Sequence, residues 1–535
     1  MDTTSAQPRV SRRGYRMILM AIILFGALLR LYGLWVPSLW YDEGCTFAQS
    51  QSLTLSLDFI NTETISDPPL PIAMTGLWKW ILSHCSSLPP YSPTSDFLLH
   101  LLPCVLSILS LPLTYCAGKA LLKNDAAAII ATFLCAISPF QIYYAQELKA
   151  YAHFLVVWLG AFYCFIKVLE NDRPRHWIGM VLLQILSMYT HFFSVWNIFL
   201  FNLYFALMLF QHREKLVKWT LSQAVVLLFT LPMILLVYEW SFIFNSITLN
   251  SWSVRPDAKT AFITFKTFFA GYSASSLVYW PLFAMTAVLF LSGLFALRRK
   301  KSVVLMILLQ TVFLILLNVL VWRMRNFPFY EHRVFIFAAA IVYMTVAYGI
   351  VALPHKVLRT GIVILICLFT FPALRDYYVQ NLHPMQTHRM GVRYKVDNRD
   401  AAAYIASQWK PGDKVGHTSS FTLMPFRVYL PGAPQAFLRL SEEELFGFLA
   451  SLPADKLWSR YGIAPVRAES FTQDAPRVWL VESWWEPREL APSVLNLRGW
   501  FDTHFTRVSS QAFDGVTTYL YVRKPQSGAQ PGPEH

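Results

Sequence analysis

The sequence predicts a mainly α-helical protein, in which a polytopic bundle of membrane-spanning helices is followed by a small C-terminal α/β domain. Hydrophobic residues make up 55% of the 535-residue chain and charged residues only 14%, whereas soluble proteins carry roughly 25% charged residues. The apolar residues are grouped in runs of roughly 20, the length that crosses the hydrocarbon core of a bilayer. From about residue 375 onward the composition becomes that of a soluble domain.

About eleven apolar runs are candidate spans. They cover residues 17–35, 97–118, 126–142, 151–168, 177–190, 192–210, 217–238, 279–297, 302–322, 334–353 and 358–374. The chain has a net charge of +14, and its basic clusters lie at the N-terminus and in alternate loops, which the positive-inside rule assigns to the cytoplasm. We therefore expect the N-terminus inside and the C-terminus outside. Basic clusters between apolar runs, rather than in one patch with interleaved aromatics, exclude a nucleic-acid binder.

Two domains are predicted, a transmembrane domain over 1–374 and an extracytoplasmic α/β domain over 375–535. The first external loop, 36–95, is unusually long. Two of its segments, Thr46 to Ile60 and Leu70 to Leu82, have the pattern of amphipathic helices that lie in the membrane interface. Cys45 and Cys85 fall in the same loop, where a disulfide and two separate thiols are both open.

Local patterns predict the elements of the C-terminal domain. Arg399 to Trp409 is expected to be a helix, and Ser441 to Leu452 a second one, with Ser441 and Glu444 as its capping pair. The segments KPGDKV, RVWLVESWW and TTYLYVRK predict a turn entering a strand and two further strands.

The acidic pair Asp42-Glu43, in the segment Tyr41-Asp42-Glu43, follows the first apolar run directly. Adjacent carboxylates there form either a solvated loop or a catalytic base beside a partner that binds a metal or a sugar. Asp67 precedes two prolines, so it is either a helix cap or a substrate-binding residue.

Further candidates follow later spans, all on the side predicted to be external. The segment SPFQIYYAQELKAY contains Glu147, Lys149 and Tyr151, and polar residues packed between spans are costly unless they face a cavity or one another. If that segment is helical, Glu147 and Tyr151 share a face. His191 lies in YTHFF. Arg325 and Arg333 lie in WRMRNFPFYEHR, against the positive-inside rule, where either snorkelling or an anionic ligand such as phosphate accounts for them.

Taken in order, these segments resemble the GT-C superfamily of integral membrane glycosyltransferases, in the bacterial branch related to protein O-mannosyltransferases and aminoarabinose transferases (the family 39/83 type). The matching pieces are YDE after the first span, DPPLPIAMTGLWKW, SDFLLHLLPCVLSIL, SPFQIYYAQELKAY, YTHFF and FYEHRVFIF. The resemblance covers roughly 30–350. Three positions depart from it: Asp67 stands where many relatives have His, His100 where many have Arg, and Cys45 near an Arg that contacts lipid phosphate in the aminoarabinose transferases.

The resemblance implies an inverting transfer of a sugar from a polyprenyl-phosphate donor to a lipid, glycan or protein acceptor at the outer face of the membrane. It implies Asp42 as the general base, with Lys149, Arg325 and Arg333 stabilising the phosphate leaving group and Glu43 and Glu147 positioning substrate. No cofactor is certain; some members bind a divalent metal, for which Glu43 is the candidate ligand. The expected location is the cell inner membrane, with the C-terminal domain periplasmic or extracellular.

Two other functions compete with a glycosyltransferase. A transporter or lipid flippase would place ionisable residues near the membrane midplane, often within inverted repeats. Here the acidic residues cluster outside the spans, and no repeat is evident. A membrane scaffold whose external domain binds a partner is the other alternative, and the intact YDE segment disfavours it.

Overall fold

The computed structural model describes residues 12–52, 67–85, 92–246, 256–270, 275–325, 330–382, 395–441, 463–483 and 492–524. The chain forms two compact units. The first unit comprises Met1–Leu34, Asp67–Met74 and His100–Tyr394, and the second comprises Trp35–Ser66, Thr75–Leu99 and Lys395–His535. Segments of the first external loop thus belong to the same unit as the C-terminal domain.

Helices dominate the chain up to residue 378. They are α1 (Arg12–Leu31), α2 (Tyr41–Ser52), α3 (Pro69–Cys85), α4 (Pro93–Leu122), α5 (Asp125–Ile137), α6 (Pro139–Ala145), α7 (Tyr151–Glu170), α8 (Pro174–Thr190), α9 (Ser194–Leu207), α10 (Leu209–His212), α11 (Leu216–Ser246), α12 (Ala258–Ala270), α13 (Ser276–Leu297), α14 (Lys301–Leu308), α15 (Leu314–Arg325), α16 (Ile336–Ala352) and α17 (Lys356–Tyr378). A π-helical turn, Leu309–Phe313, joins α14 to α15, and a 3-10 turn, His332–Phe335, precedes α16.

The chain is a multi-pass membrane protein. Within the described residues, eight helices are long and apolar enough to cross a bilayer, and nine if the bent pair of α5 and α6 counts as one span. The other two of the eleven predicted runs coincide with α8 and α9, which have 17 and 14 residues. Both helices are shorter than the roughly 20 residues that usually span a bilayer.

The bend between α5 and α6 measures 61°, and local sequence explains it. Pro139 cannot donate the backbone hydrogen bond that would continue α5, and it starts α6 at a position that tolerates proline. Ser138 caps the new helix by accepting a hydrogen bond from the Gln141 amide at 3.3 Å. The fully buried Arg30 guanidinium donates to the Cys135 and Ala136 carbonyls at 3.1 and 3.0 Å. It therefore satisfies acceptors that the interrupted helix leaves open.

The second unit contains α18 (Asn398–Ser407), α19 (Ser420–Tyr429), α20 (Ala468–Thr472) and α21 (Pro492–His504) around a six-stranded sheet. Its strands are β1 (Lys414–His417), β2 (Gln435–Arg439), β3 (Val466–Arg467), β4 (Arg477–Ser483), β5 (Phe505–Phe513) and β6 (Val516–Arg523), in the order β3-β2-β1-β4-β6-β5. The strands β1 to β4 are parallel, and β6 and β5 extend the sheet in antiparallel fashion.

The predicted helix after Arg399 and the three predicted strands are confirmed as α18, β1, β4 and β6. The predicted loop helices correspond to α3 and to α2, which begins at Tyr41 and not at the expected Thr46 and is described as far as Ser52. The expected helix Ser441 to Leu452 lies outside the described residues except for its first one, and so does the side chain of Cys85.

Candidate functional site

The second unit holds the Asp42-Glu43 pair in the first turn of α2. Glu43 is fully buried, and its Oε2 accepts the Trp40 amide at 3.1 Å, so Glu43 reaches back to cap its own helix. The Nζ of Lys395 donates to both Glu43 carboxylate oxygens, at 3.1 and 3.0 Å, and the Lys395 side chain is only 3% exposed. Glu43 is thus engaged as a structural anchor.

Asp42 is the partly exposed member of the pair. It lies in the first helical turn, at the positive end of the helix dipole. Gly44 fixes how α2 packs on α19, because a Cβ at Gly44 would lie 2.8 Å from the Met424 carbonyl carbon. The Tyr41 ring contacts the Phe421 ring at 4.7 Å. Close backbone packing of α2 therefore holds Asp42 at the surface of the second unit.

A buried network holds the segment before α2. Asp96 accepts hydrogen bonds from Arg399 at 2.7 Å and from the Tyr429 hydroxyl at 2.9 Å, and the Leu39 amide donates to that hydroxyl at 2.6 Å. Burial, and then the negative charge of Asp96, raise the pKa of Tyr429 well above its ordinary value. Burial is the largest single influence on the pKa of Arg399 and lowers it, but Asp96, Tyr429 and Asp400 together outweigh burial and the net direction is upward. Both groups therefore keep their protons and bind the carboxylate.

The described residues contain no group of three or more His, Cys, Asp or Glu side chains that could hold a metal ion. Both oxygens of Glu43, the metal candidate from sequence, face the Lys395 ammonium. A cation would have to compete with that buried ammonium, so Glu43 does not fit a metal ligand here.

The first unit brings together most of the other predicted residues in a group that we call the cationic cluster: Asp67, Lys149, Tyr151, His191 and Arg333. Lys149 Nζ lies 3.0 Å from Asp67 Oδ2, with the lysine side chain 12% exposed and the aspartate 40% exposed. The Arg333 guanidinium lies 5.5 Å from the centre of the Tyr151 ring. Asp67 thus forms an ion pair with Lys149 instead of capping α3.

His191 is the uncharged member of the cationic cluster. Its ring stacks on Phe154 at 5.0 Å and contacts Tyr151 at 5.7 Å, and its Nδ1 accepts the Phe193 amide at 3.1 Å. The pKa of His191 is lowered to about 4, chiefly by burial; the charge of Asp67 raises it, and those of Arg333 and Lys149 act in the same direction as burial. His191 is therefore neutral near pH 7, and Lys149 and Arg333 supply the positive charge.

One predicted arrangement differs from expectation, and one predicted residue has a side chain outside the described ones. The helical segment ends at Ala145 and resumes at Tyr151, so Glu147 and Lys149 lie in a turn and the shared helical face of Glu147 and Tyr151 does not form. Glu147 is 1% exposed and lies within electrostatic range of Tyr144, as Arg333 does. Arg325 ends α15, and its side chain lies outside the described ones.

Buried hydrogen bonds fix the turn that carries Lys149. Gln146 Nε2 donates to the carbonyl oxygens of Arg30 and Tyr32 at 2.7 and 2.9 Å, and the Tyr377 hydroxyl donates to Gln146 Oε1 at 2.6 Å. This ties the turn to the ends of α1 and α17.

The segment before Arg333 is fixed in a similar way. Thr264 Oγ1 on α12 lies 2.6 Å from the Tyr330 hydroxyl and 2.8 Å from His332 Nδ1. Both cationic residues of the cluster therefore stand on backbone that buried polar contacts hold in place.

Sequence reasoning missed Lys395, Asp96, Arg399 and Tyr429. Each lies far along the chain from its partner, and no local pattern distinguishes these residues from solvated ones. A weak signal was the position of Arg399 and Asp400 directly before the apolar face of the predicted helix.

Comparison with known proteins gives one family match and several structural ones. The model of the family described as dolichyl-phosphate-mannose-protein mannosyltransferase matches residues 77–240, just under a third of the chain. None of the curated proteins matches the sequence.

Among solved structures, ArnT from Cupriavidus metallidurans in the apo state has a TM-score of 0.62 at 12% identity, covering 96% of this chain and 99% of ArnT. The same protein bound to undecaprenyl phosphate has a TM-score of 0.59 at 13% identity, covering 97% and 100%. The apo oligosaccharyltransferase of Archaeoglobus fulgidus has a TM-score of 0.52 at 11% identity, covering 97% and 76%. The resemblance to GT-C glycosyltransferases is thereby confirmed, and at these identities what is shared is the fold.

Proposed function

We propose that this protein is an inverting glycosyltransferase that moves a sugar from a polyprenyl-phosphate donor to an acceptor at the outer face of the cell inner membrane. The observation that carries the proposal is the cationic cluster, where Lys149 and Arg333 lie around a neutral histidine. An anionic phosphate held at such a place gains charge-assisted hydrogen bonds. The ArnT relative of the same fold was solved with undecaprenyl phosphate, which supports a lipid phosphate as the ligand.

The proposed reaction is a single displacement at the anomeric carbon. The acceptor hydroxyl or amine attacks C1 while Asp42 takes its proton, the C1–O bond to phosphate breaks, and the electron pair leaves with the polyprenyl phosphate. Lys149 and Arg333 stabilise the negative charge that develops on that leaving group. Glu43, buried against Lys395, positions Asp42 in this scheme and does not take part in proton transfer.

The chemistry of the donor agrees with a membrane enzyme. A polyprenyl tail stays in the bilayer, so the sugar headgroup must be met at the interface. The acceptor is a lipid, a glycan or a protein, and the C-terminal domain is proposed to be periplasmic or extracellular.

The test is the variant Asp42→Asn, which keeps the size and the hydrogen-bonding capacity of the side chain but removes the base. Mass spectrometry of surface glycans, lipids and proteins would compare cells that lack the gene with cells expressing each variant at equal level. General-base removal typically lowers a rate by about 10²–10⁴-fold, so the glycan that depends on the gene should disappear. The matched control is Asp474→Asn, an exposed carboxylate of the same unit with 77% of its side chain accessible, which should leave that glycan unchanged.

Two outcomes separate the alternatives. If Asp42→Asn restores the glycan fully, Asp42 is not the base. If neither the wild type nor any variant changes the glycans but the distribution of a lipid across the membrane changes, the protein is a flippase.

A further inference from the structure

Four buried polar side chains occur inside the first unit, away from the cationic cluster: Trp158 on α7, Gln184 on α8, Asn197 on α9 and Gln310 in the π-helical turn. They are 1%, 2%, 3% and 0% exposed. Within the described part of the chain, none of their seven side-chain nitrogen and oxygen atoms has a hydrogen-bond partner. Each such group costs about 1–3 kcal/mol if it stays unsatisfied, so seven on neighbouring helices require an explanation.

Neighbouring contacts show that α7, α8 and α9 bring three of these side chains to the same level of the bundle. A Cβ at Gly160 would meet Leu183 at 3.0 Å, which sets α7 against α8 and puts Gln184 level with Trp158. The Ser187 and Ser194 hydroxyls lie 2.6 Å apart across the α8–α9 turn. Gln184 and Asn197 each lie three residues from that pair and therefore face one another.

The fourth side chain reaches the same level from α14. The Tyr204 hydroxyl on α9 donates to the Ser302 carbonyl on α14 at 3.3 Å. From this contact, Asn197 lies seven residues back along α9, and Gln310 lies eight residues forward from Ser302. The two helices run in opposite directions, so both steps lead toward the same end of the bundle. At 1.5 Å per residue both have moved about the same distance. The π-helical turn inserts an extra residue at this level, a feature often found at functional sites.

We propose that Trp158, Gln184, Asn197 and Gln310 bind a cluster of water molecules inside the helix bundle. The set offers four donor nitrogens and three acceptor oxygens. A cation would use only the oxygens and an anion only the nitrogens, whereas water donates and accepts and bonds to two to four polar groups. The cluster lies seven residues from His191 along α8, so it hydrates the bundle about 10 Å from the cationic cluster.

Hydroxyl-radical footprinting by synchrotron radiolysis of the full-length protein in nanodiscs tests the proposal, because radicals formed from bound water oxidise side chains that bulk solvent does not reach. The matched control is Trp479, which is 0% exposed and whose Nε1 donates to Asp413 Oδ2 at 3.0 Å. We expect Trp158 to be oxidised several-fold faster than Trp479. In Gln310→Leu the rate at Trp158 should fall while that at Trp479 stays constant. Equal, low labelling of the two tryptophans in the wild-type protein would overturn the proposal, and would indicate that the amides bond directly to one another.

Thermal melting gives a second, independent measurement. If water satisfies the amides, Gln184→Leu removes a partner from the cluster and lowers the melting temperature by a few degrees. If the amides are unsatisfied, the same change removes a buried polar group and raises the melting temperature, which contradicts the proposal. Replacing sodium with choline in the buffer should have no effect, and a melting temperature that depends on sodium would assign the site to a cation instead.

Discussion

Removing the ammonium group of Lys395 should destabilise the second unit strongly, because it leaves the Glu43 carboxylate charged and buried. In Lys395→Met, Glu43 loses the donor that contacts both of its oxygens, at 3.1 and 3.0 Å, while the Trp40 amide still donates to Oε2. Breaking a buried ion pair on one side typically costs about 3–5 kcal/mol. For a unit of this size, 1 kcal/mol shifts the melting temperature by about 2–4 °C, so a drop of roughly 10 °C is expected.

Differential scanning fluorimetry of the detergent-purified protein measures this drop. The control is Arg467→Met, which removes one partner of an exposed pair: Arg467 and Glu469 are 46% and 77% exposed. Such pairs contribute about 0–1 kcal/mol. The double variant Lys395→Met with Glu43→Gln should recover most of the lost stability, since a neutral amide still accepts the Trp40 amide. The reasoning is refuted if Lys395→Met melts at the same temperature as Arg467→Met.

Two further predictions concern packing and protonation. Gly293→Ala on α13 should prevent the native fold, because the added Cβ would lie 2.2 Å from the Thr345 carbonyl oxygen. The control is Gly361→Ala, where the added Cβ meets open space. Size-exclusion profiles of the two variants should differ sharply. Burial lowers the pKa of His417 from 6.5 to about 3, so the unfolded chain takes up a proton below pH 6.5 that the folded chain does not. The stability of the folded protein should therefore fall as the pH drops from 6.5 toward 3. In melting experiments, the His417→Asn variant should lose less stability than the wild type over that pH range. Identical pH profiles of the two proteins would contradict this prediction.

The fold class was predictable because its signals are local. Membrane spans are read from runs of apolar residues, and the spans from α11 onward, together with the strands β4 and β6, form where the sequence predicts them. Some structural features were not predictable, because the local sequence pattern conceals them. The bend at Pro139 interrupts the apolar run 126–142, which by itself predicts one continuous helix.

The candidate site was predictable in composition but not in arrangement. Asp67, Lys149, Tyr151, His191 and Arg333 were all identified from sequence, because charged or polar residues next to spans stand out against an apolar background. Their pairing was not predictable, since Asp67 reads equally well as a helix cap and becomes the partner of Lys149 only through folding.

Asp42 and Glu43 show most clearly what the sequence by itself determined and what the tertiary structure decided. The sequence determined that two carboxylates follow the first span, because composition is a local property, but it placed the start of the next helix at Thr46, whereas α2 begins at Tyr41. Apart from the family resemblance, which implies Asp42 as the base, the sequence could not separate their roles, since adjacent acids are alike until something packs against one of them. Lys395, 352 residues away, does so for Glu43, and Asp42 is left partly exposed. The physical reason is that burial and charge pairing belong to contacts between distant segments, which only the folded chain contains.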